Sequence, residues 1–103
     1  MKFILIQFEL NAMVNLVPII FPKILVHKHV AENTMHIIRR TIPTSNNIKV
    51  VSAGFYEQST GVCYGESETL GIKCKDGTTE LIRINDRFSI FDKNDSRILK
   101  LNK

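Results

Sequence analysis

Apolar and polar positions in the first quarter of the chain predict two strands. Residues Lys2 to Leu10 are apolar in both alternating sets, which is typical of a strand that is buried on both faces. The alternative is that Met13 is a second start and that residues 1–12 form an N-terminal extension. The next stretch, Val14 to Leu25, contains two prolines. Because proline has no backbone donor, this stretch is predicted to be an edge strand or an extended segment.

Between Val26 and Arg40 the apolar period changes to that of a helix. Residues recurring at spacings of three and four predict one buried face, made of Val30, Ala31, Thr34, Met35, Ile37 and Ile38. The helix is expected to end before Pro43, because a residue that precedes proline is pushed out of the α region.

A β-hairpin is predicted after the helix. Ile48 to Glu57 is apolar and aromatic, residues 58–61 have the composition of a turn, and Val62 to Tyr64 resumes the strand pattern. Glycine inside a strand marks a bend, a bulge or a close approach by another backbone, and Gly54, Gly65 and Gly71 fall in this region. We expect the helix to approach at Gly54 or Gly71.

Residues 76–91 fit two structures. In the first, the chain turns at Asp76-Gly77 and Thr78 to Ile84 returns as a strand, which places Lys73 opposite Glu80 and Ile72 opposite Leu81. In the second, Asp76 or Thr78 caps a helix. The helix is the preferred prediction, with one apolar face made of Leu81, Ile84, Phe88 and Phe91.

These elements indicate an α+β fold: a small antiparallel sheet with one or two helices packed on one face. With 103 residues, the chain is long enough for one domain, 1–103, and too short for two. Within that domain, residues 92–103 are predicted to be an edge strand or a tail. The composition, 44% hydrophobic and 23% charged, is that of a globular chain and is too apolar for a disordered one.

The N-terminal apolar run does not predict a signal peptide, because polar residues interrupt it at Gln7, Glu9 and Asn11. The run from Leu16 to Phe21 is far shorter than the roughly 20 residues of a membrane span. Two cysteines are too few to define a disulfide framework. We therefore expect a cytoplasmic protein with no membrane contact.

Two catalytic patterns are considered and set aside. The segment Gly65-Glu66-Ser67-Glu68-Thr69 starts like a nucleophile elbow, but threonine stands where that turn uses glycine. A polar loop in which serine and threonine satisfy nearby backbone groups is the better interpretation. Cys63 has no activating signature around it, and a small buried cysteine is expected instead. No catalytic residue is predicted.

A metal site is also considered. His27, His29 and His36 would need Cys63 and Cys74 to complete a ligand set, and this requires the hairpin to fold against the start of the helix. The chain has no compact ligand pair such as CxxC. No metal ligand and no cofactor are predicted.

The outer face of the predicted helix is the best candidate for a binding surface. The net charge of +4 permits an acidic partner without requiring one. Arginine can bind phosphate or carboxylate through paired donors. The alternative is an ordinary solvated helix face. We call this stripe the basic helix face; it consists of His29, Asn33, His36, Arg39 and Arg40.

The hairpin region resembles a pattern in small uncharacterised proteins of phages and prophages. The residues that carry it are SAGF at Ser52 to Phe55 and CYGESETLGIK at Cys63 to Lys73, preceded by a helix start, HKHVAE, at His27 to Glu32. The resemblance covers about residues Val17 to Phe88. It implies an origin in a mobile element, action in the cytosol of an infected bacterium and a second helix after Asp76. The pattern has no assigned activity, so it supplies no catalytic or binding residue.

Three functions follow as hypotheses. The first is a non-enzymatic phage or prophage accessory protein that acts by protein–protein contact, with itself or with another chain, through edge strands and the apolar N-terminal segment. The second is a nucleic-acid-associated protein that uses the basic helix face. The third is a small-ligand binder, which requires a pocket that the sequence does not reveal.

Overall fold

The N-terminal strand organises the sheet. The structure, a computed structural model, describes residues 1–84, in which β1 (Lys2–Leu10) pairs antiparallel with both β2 (Met13–Phe21) and β3 (Asn46–Glu57). The strand β4 (Val62–Tyr64) completes a sheet of order β2-β1-β3-β4. Residues 2–10 therefore lie inside the fold. Among the described strands β2 is at the edge of the sheet, as predicted.

Three short elements and one long helix complete the described part of the chain. Helix α1 (His27–Thr41) joins β2 to β3. After β4, the two-residue strands β5 (Glu66–Ser67) and β6 (Ile72–Lys73) pair with each other, and α2 (Thr78–Ile84) follows. The α+β prediction is confirmed. Within residues 1–84, no helix has the length and apolar character needed to cross a membrane.

Strand β1 is buried on both faces, which explains why its sequence does not alternate between apolar and polar residues. Ile4 and Ile6 lie on one face and are completely buried, and Phe3 and Leu5 lie on the other with at most 4% of their surface exposed. Each face therefore needs its own cover.

Helix α1 covers the face of Ile4 and Ile6. Val30, Ala31 and Ile38 pack against these strand residues in one core cluster. The predicted apolar face is confirmed, and the helix is shifted by one residue from the predicted bounds. Thr34, the polar member of that face, is buried and donates its hydroxyl hydrogen to the carbonyl oxygen of Val30 over 2.8 Å. The hydroxyl is therefore satisfied without leaving the core.

Helix α2 lies against the opposite face of the sheet. Its Ile82 is completely buried and shares a second core cluster with Phe3 and Ile20. We predicted one or two helices on one face, and the structure has one helix on each. Strand β1 requires this arrangement, because α1 alone leaves the face of Phe3 and Leu5 uncovered.

The helix prediction for the segment after Asp76 is confirmed through Ile84, and the alternative hairpin is wrong. Lys73 is paired with Glu66 in the small sheet, and not with Glu80. Phe88 and Phe91, which we placed on the same helix, lie outside the described residues. The predicted edge strand or tail at residues 92–103 also lies outside them.

Gly54 is the position where two backbone segments come closest. A Cβ atom built on Gly54 would lie 2.3 Å from the carbonyl oxygen of Tyr64, so the residue must be glycine for the hairpin to close onto β5. The predicted close approach is confirmed here. Helix α1 also reaches Gly54, through a hydrogen bond from its first residue, His27. At Gly71, by contrast, a Cβ would meet no atom of the described residues within 4 Å beyond its chain neighbours. Glycine is favoured there because the residue adopts a positive φ angle of 66°.

Two buried hydroxyl groups, of Ser52 on β3 and Thr78 at the start of α2, connect these two elements. The Ser52 hydroxyl oxygen accepts the backbone N–H of Lys75 over 2.8 Å and lies 2.8 Å from the Thr78 hydroxyl oxygen. Thr78 in turn donates to the carbonyl oxygen of Lys75 over 2.6 Å. Ser52 is completely buried, so no solvent can replace these bonds.

We expect Ser52→Ala to lower the free energy of unfolding by about 2 kcal/mol, because the buried Thr78 hydroxyl loses its Ser52 partner and the backbone N–H of Lys75 loses its acceptor. Urea unfolding followed by circular dichroism measures the change. Ser59→Ala is the matched control: Ser59 is exposed and bonds to the side chain of Glu57, so its loss should cost no more than about 0.5 kcal/mol. Equal losses in the two variants would refute the role given to Ser52.

Candidate functional site

The basic helix face lies on the solvent side of α1. All five of its side chains are exposed, while the opposite side of the helix packs on the sheet. The two arginines stand in the last turn of the helix, where positive charge stabilises the carbonyl end of the helix dipole. That stabilisation accounts for them without a ligand. A binding role for this face stays a prediction; its members are His29, Asn33, His36, Arg39 and Arg40.

The three histidines are separated by the fold. His27 is buried at the start of α1, whereas His29 and His36 point to solvent. Among residues 1–84 there is no group of three or more histidine, cysteine, aspartate or glutamate side chains arranged to hold a metal ion. The hypothetical site of histidines and cysteines is therefore not assembled in the described part of the chain.

His27 links α1 to the hairpin. Its Nε2 lies 2.7 Å from the carbonyl oxygen of Gly54, and because a carbonyl can only accept, Nε2 carries the hydrogen. The imidazole meets the rings of Phe21 and Phe55 edge to face, at centroid distances of 5.4 and 6.0 Å. Burial lowers the pKa of His27 below its usual 6.5, with a smaller contribution from the positive charge of Lys2, and outweighs the opposing effect of the hydrogen bond. His27 is thus a neutral core residue.

The two cysteines are protonated thiols at neutral pH. Burial, followed by the proximity of Cys74, raises the pKa of Cys63 to about 11. Burial also raises the pKa of Cys74. Since the thiolate is the reactive form, neither group is activated as a nucleophile. This agrees with the prediction of a small buried cysteine at Cys63.

The serine of the Gly65–Thr69 segment supports a turn. Ser67 is completely buried, and its hydroxyl oxygen accepts the backbone N–H of Leu70 over 3.2 Å and lies 3.3 Å from the hydroxyl of Thr69. These contacts match the interpretation of the segment as a polar loop that satisfies its own backbone.

An apolar surface occurs where β1 turns into β2. The turn residues Asn11 and Ala12 have positive φ angles of 53° and 63°, as in a two-residue hairpin turn. Directly after them the side chains of Met13, Val14 and Leu16 are 69%, 59% and 37% exposed. We call these three residues the hairpin-end patch. The sequence pattern did not reveal their exposure, because they continue an apolar run that is buried from residue 17 onward.

A groove continues this patch onto the sheet. It has a volume of about 240 Å³. Its apolar lining is Leu5, Leu16 and Val51 on the sheet and Leu81 on α2, and its polar lining includes Gln7, Lys75, Asp76 and Thr78. On this sheet face Ile82 of α2 packs with Phe3 near the Lys2 end, whereas Val14 and Leu16 near the turn are exposed. Val14 and Leu16 lie on the same sheet face as this groove, whereas Met13 lies at the turn on the other face.

A second concave surface lies at the opposite end of β1. A cleft of about 440 Å³ has the stacked rings of Phe55 and Tyr64 on one side, with centroids 5.8 Å apart and planes at 29°. Glu66, Glu68 and Lys2 also line it. We call it the aromatic cleft. Sequence reasoning missed it because its residues come from β1, β3, β4 and the segment after β4, which only the strand pairing brings together.

No protein family model, curated protein or solved structure matches this chain. The resemblance to phage and prophage proteins, and the origin it implies, therefore stay predictions.

Proposed function

We propose that this chain is a small non-enzymatic accessory protein that acts by protein–protein contact, and that it associates with a second copy of itself through the hairpin-end patch. An origin in a phage or prophage and a cytosolic site of action, which the resemblance implies, are part of this proposal. The exposure of Met13, Val14 and Leu16 is the observation that carries it.

Exposed apolar side chains that share a face, as Val14 and Leu16 do on β2, are characteristic of surfaces that bind another protein. Met13 and Val14 each expose more than half of their surface, and the groove beside Leu16 extends the apolar area. Water contact with these side chains is unfavourable by about 25 cal/mol for each square ångström of apolar surface. A partner that covers them gains that free energy.

A second copy of the same chain fits this surface. Strand β2 has β1 as its neighbour on one side and no described strand on the other. Two edge strands related by a twofold axis pair antiparallel, with each strand contributing the same residues. With the twofold axis near Asn15, the apolar patch would meet its own image, so that both partners bury apolar surface.

The hairpin-end patch also favours a protein over a nucleic acid. Nucleic-acid binding depends on clustered positive charge. Opposite Val14 on the sheet lies the acidic Glu9, and the groove is lined by one lysine, Lys75, and one aspartate, Asp76, so positive charge is not clustered here. The basic helix face is the surface that a nucleic acid would use, and it belongs to a different element.

The test is light scattering after size-exclusion chromatography, over a range of protein concentrations. We expect the wild-type chain to form a dimer, and we expect the double variant Val14→Lys with Leu16→Lys to dissociate at least about tenfold more readily, because lysine places charge on the strand edge. Both replaced side chains are exposed, so the variant should remain folded.

Ile24→Lys is the matched control, since Ile24 is 87% exposed and lies in the loop before α1. It should dimerise like the wild type. A monomeric wild type, or a dimer that the double variant leaves intact, would overturn the proposal. Co-purified nucleic acid that is removed by moderate salt would instead favour the basic helix face, because phosphate contacts weaken steeply with salt.

A further inference from the structure

We propose that the aromatic cleft binds a guanidinium group, such as the side chain of arginine. The cleft lies at the Lys2 end of β1 and the hairpin-end patch lies beyond its other end, about 26 Å away for eight steps along a strand. The proposal is therefore independent of the self-association proposed above.

The first component of the site is a flat aromatic surface. The Tyr64 ring is stacked on Phe55, yet 50% of Tyr64 is exposed, so one side of the pair is available to a ligand. Gly65 lets the chain pass this close to the ring, because a Cβ there would lie 3.0 Å from a ring carbon of Phe55. His27 supports Phe55 from behind by an edge contact. The rings are thus held in place before any ligand arrives.

The second component is a pair of carboxylates. Glu66 and Glu68 line the same cleft and are exposed, and within residues 1–84 neither side chain has a hydrogen-bond or ion-pair partner. Among the described residues that line the cleft, the positive charge belongs to Lys2. Its ammonium group already donates to the carbonyl oxygen of Leu25 over 2.8 Å. The formal charge of this lining is therefore −1, with two acceptor groups unused.

A planar cation fits these two components together. Guanidinium stacks on aromatic faces and also presents paired donors that match the two oxygens of a carboxylate. An ammonium group makes the electrostatic contact but lacks the planar face and the paired donors. An anion is repelled by Glu66 and Glu68. The cleft volume falls within the range of about 300–1,000 Å³ that is usual for ligand sites.

The experiment is a titration followed by amide and aromatic NMR signals, with N-acetyl-arginine amide as the probe. We expect saturable shifts confined to Tyr64, Gly65 and their neighbours, with a dissociation constant on the order of 1 mM, as is reasonable for so small a ligand. The citrulline counterpart, which has nearly the same shape without the charge, should bind at least about tenfold more weakly. The lysine counterpart should fall between the two.

The double variant Glu66→Gln with Glu68→Gln should reduce arginine affinity by at least about tenfold. Glu32→Gln, which removes an exposed carboxylate from α1, is the control and should leave the affinity unchanged. The amide spectrum itself shows whether each variant is folded. Absence of saturable shifts, equal binding of citrulline, or unchanged affinity in the double variant would overturn the proposal.

Comparing the affinities of free L-arginine, the blocked probe and a blocked arginine tripeptide shows whether the guanidinium belongs to a small molecule or to another protein. Tighter binding of the free amino acid than of the blocked probe would indicate a small-molecule site, in which Lys2 contributes to binding of the α-carboxylate. Tighter binding of a blocked tripeptide with arginine at its centre would indicate an arginine side chain of another protein. Both outcomes keep the guanidinium as the recognised group.

Discussion

Gly54→Ala is expected to lower the free energy of unfolding by about 3 kcal/mol, at the upper end of the range for overpacked sites. The added Cβ would lie 2.3 Å from the backbone carbonyl oxygen of Tyr64 and within 3.3 Å of the backbone at Gly65 and Glu66. Backbone atoms cannot rotate away as the end of a flexible side chain can. The hairpin must therefore open, and the bond from His27 to the Gly54 carbonyl is disturbed with it.

Gly71→Ala is the matched control for this prediction. Within residues 1–84 no atom lies within 4 Å of the added Cβ at Gly71, so the expected cost is that of the positive φ angle, about 1 kcal/mol. Urea unfolding of both variants followed by circular dichroism, with the wild type alongside, gives the two differences. If Gly54→Ala costs no more than Gly71→Ala, the close approach of the two backbones does not constrain the fold in solution.

The elements that sequence reasoning predicted well are those whose signal is local. The three-four spacing in α1 reports which side of the helix is buried, and β1 shows its double burial through two apolar sets. Turn composition at residues 58–61 locates the β3–β4 hairpin. In each case the residues that decide the structure are close together in the chain.

The side of the sheet that α2 covers could not be predicted. The seven described residues of α2 offer too few positions for an apolar face to specify a partner, and Ile82 packs with Phe3 and Ile20, which lie far away in the sequence. The hydroxyl bond between Ser52 and Thr78 joins residues 26 positions apart and leaves no pattern in the sequence. Tertiary packing decides both features.

The candidate sites show the same limit. The basic helix face was predicted as a stripe, and its five residues do lie exposed on one element. The hairpin-end patch and the aromatic cleft depend on which parts of the sheet the helices leave open. Apolar composition alone cannot distinguish Val14, which is 59% exposed, from Val17, which is 4% exposed.

Acid is expected to destabilise this protein through His27. Its pKa is lowered in the folded state, so below pH 6.5 the unfolded chain binds a proton more readily than the folded chain. The stability that the neutral imidazole contributes is complete above pH 6.5 and is lost as the pH falls from 6.5 through the lowered folded pKa. One proton allows a slope of no more than about 1.4 kcal/mol per pH unit.

His27→Gln tests this origin of the acid sensitivity. Glutamine has an N–H that can approach the Gly54 carbonyl but has no titration in this range, so the variant should be less stable by about 2 kcal/mol at pH 7.5. The difference from wild type should shrink as the pH is lowered to 5.5, because only the wild type loses stability from this residue. Urea unfolding at several pH values measures both effects.

His29→Gln provides the control, since His29 is exposed on α1 two residues away. It should keep the pH dependence of the wild type. If the His27→Gln protein retains the full loss of stability between pH 7.5 and 5.5, another titrating group is responsible for the acid sensitivity. The structure argues against that result, because His27 is the histidine that joins α1, Phe21 and the hairpin: its protonation places a charge among buried rings, whereas His29 and His36 meet water.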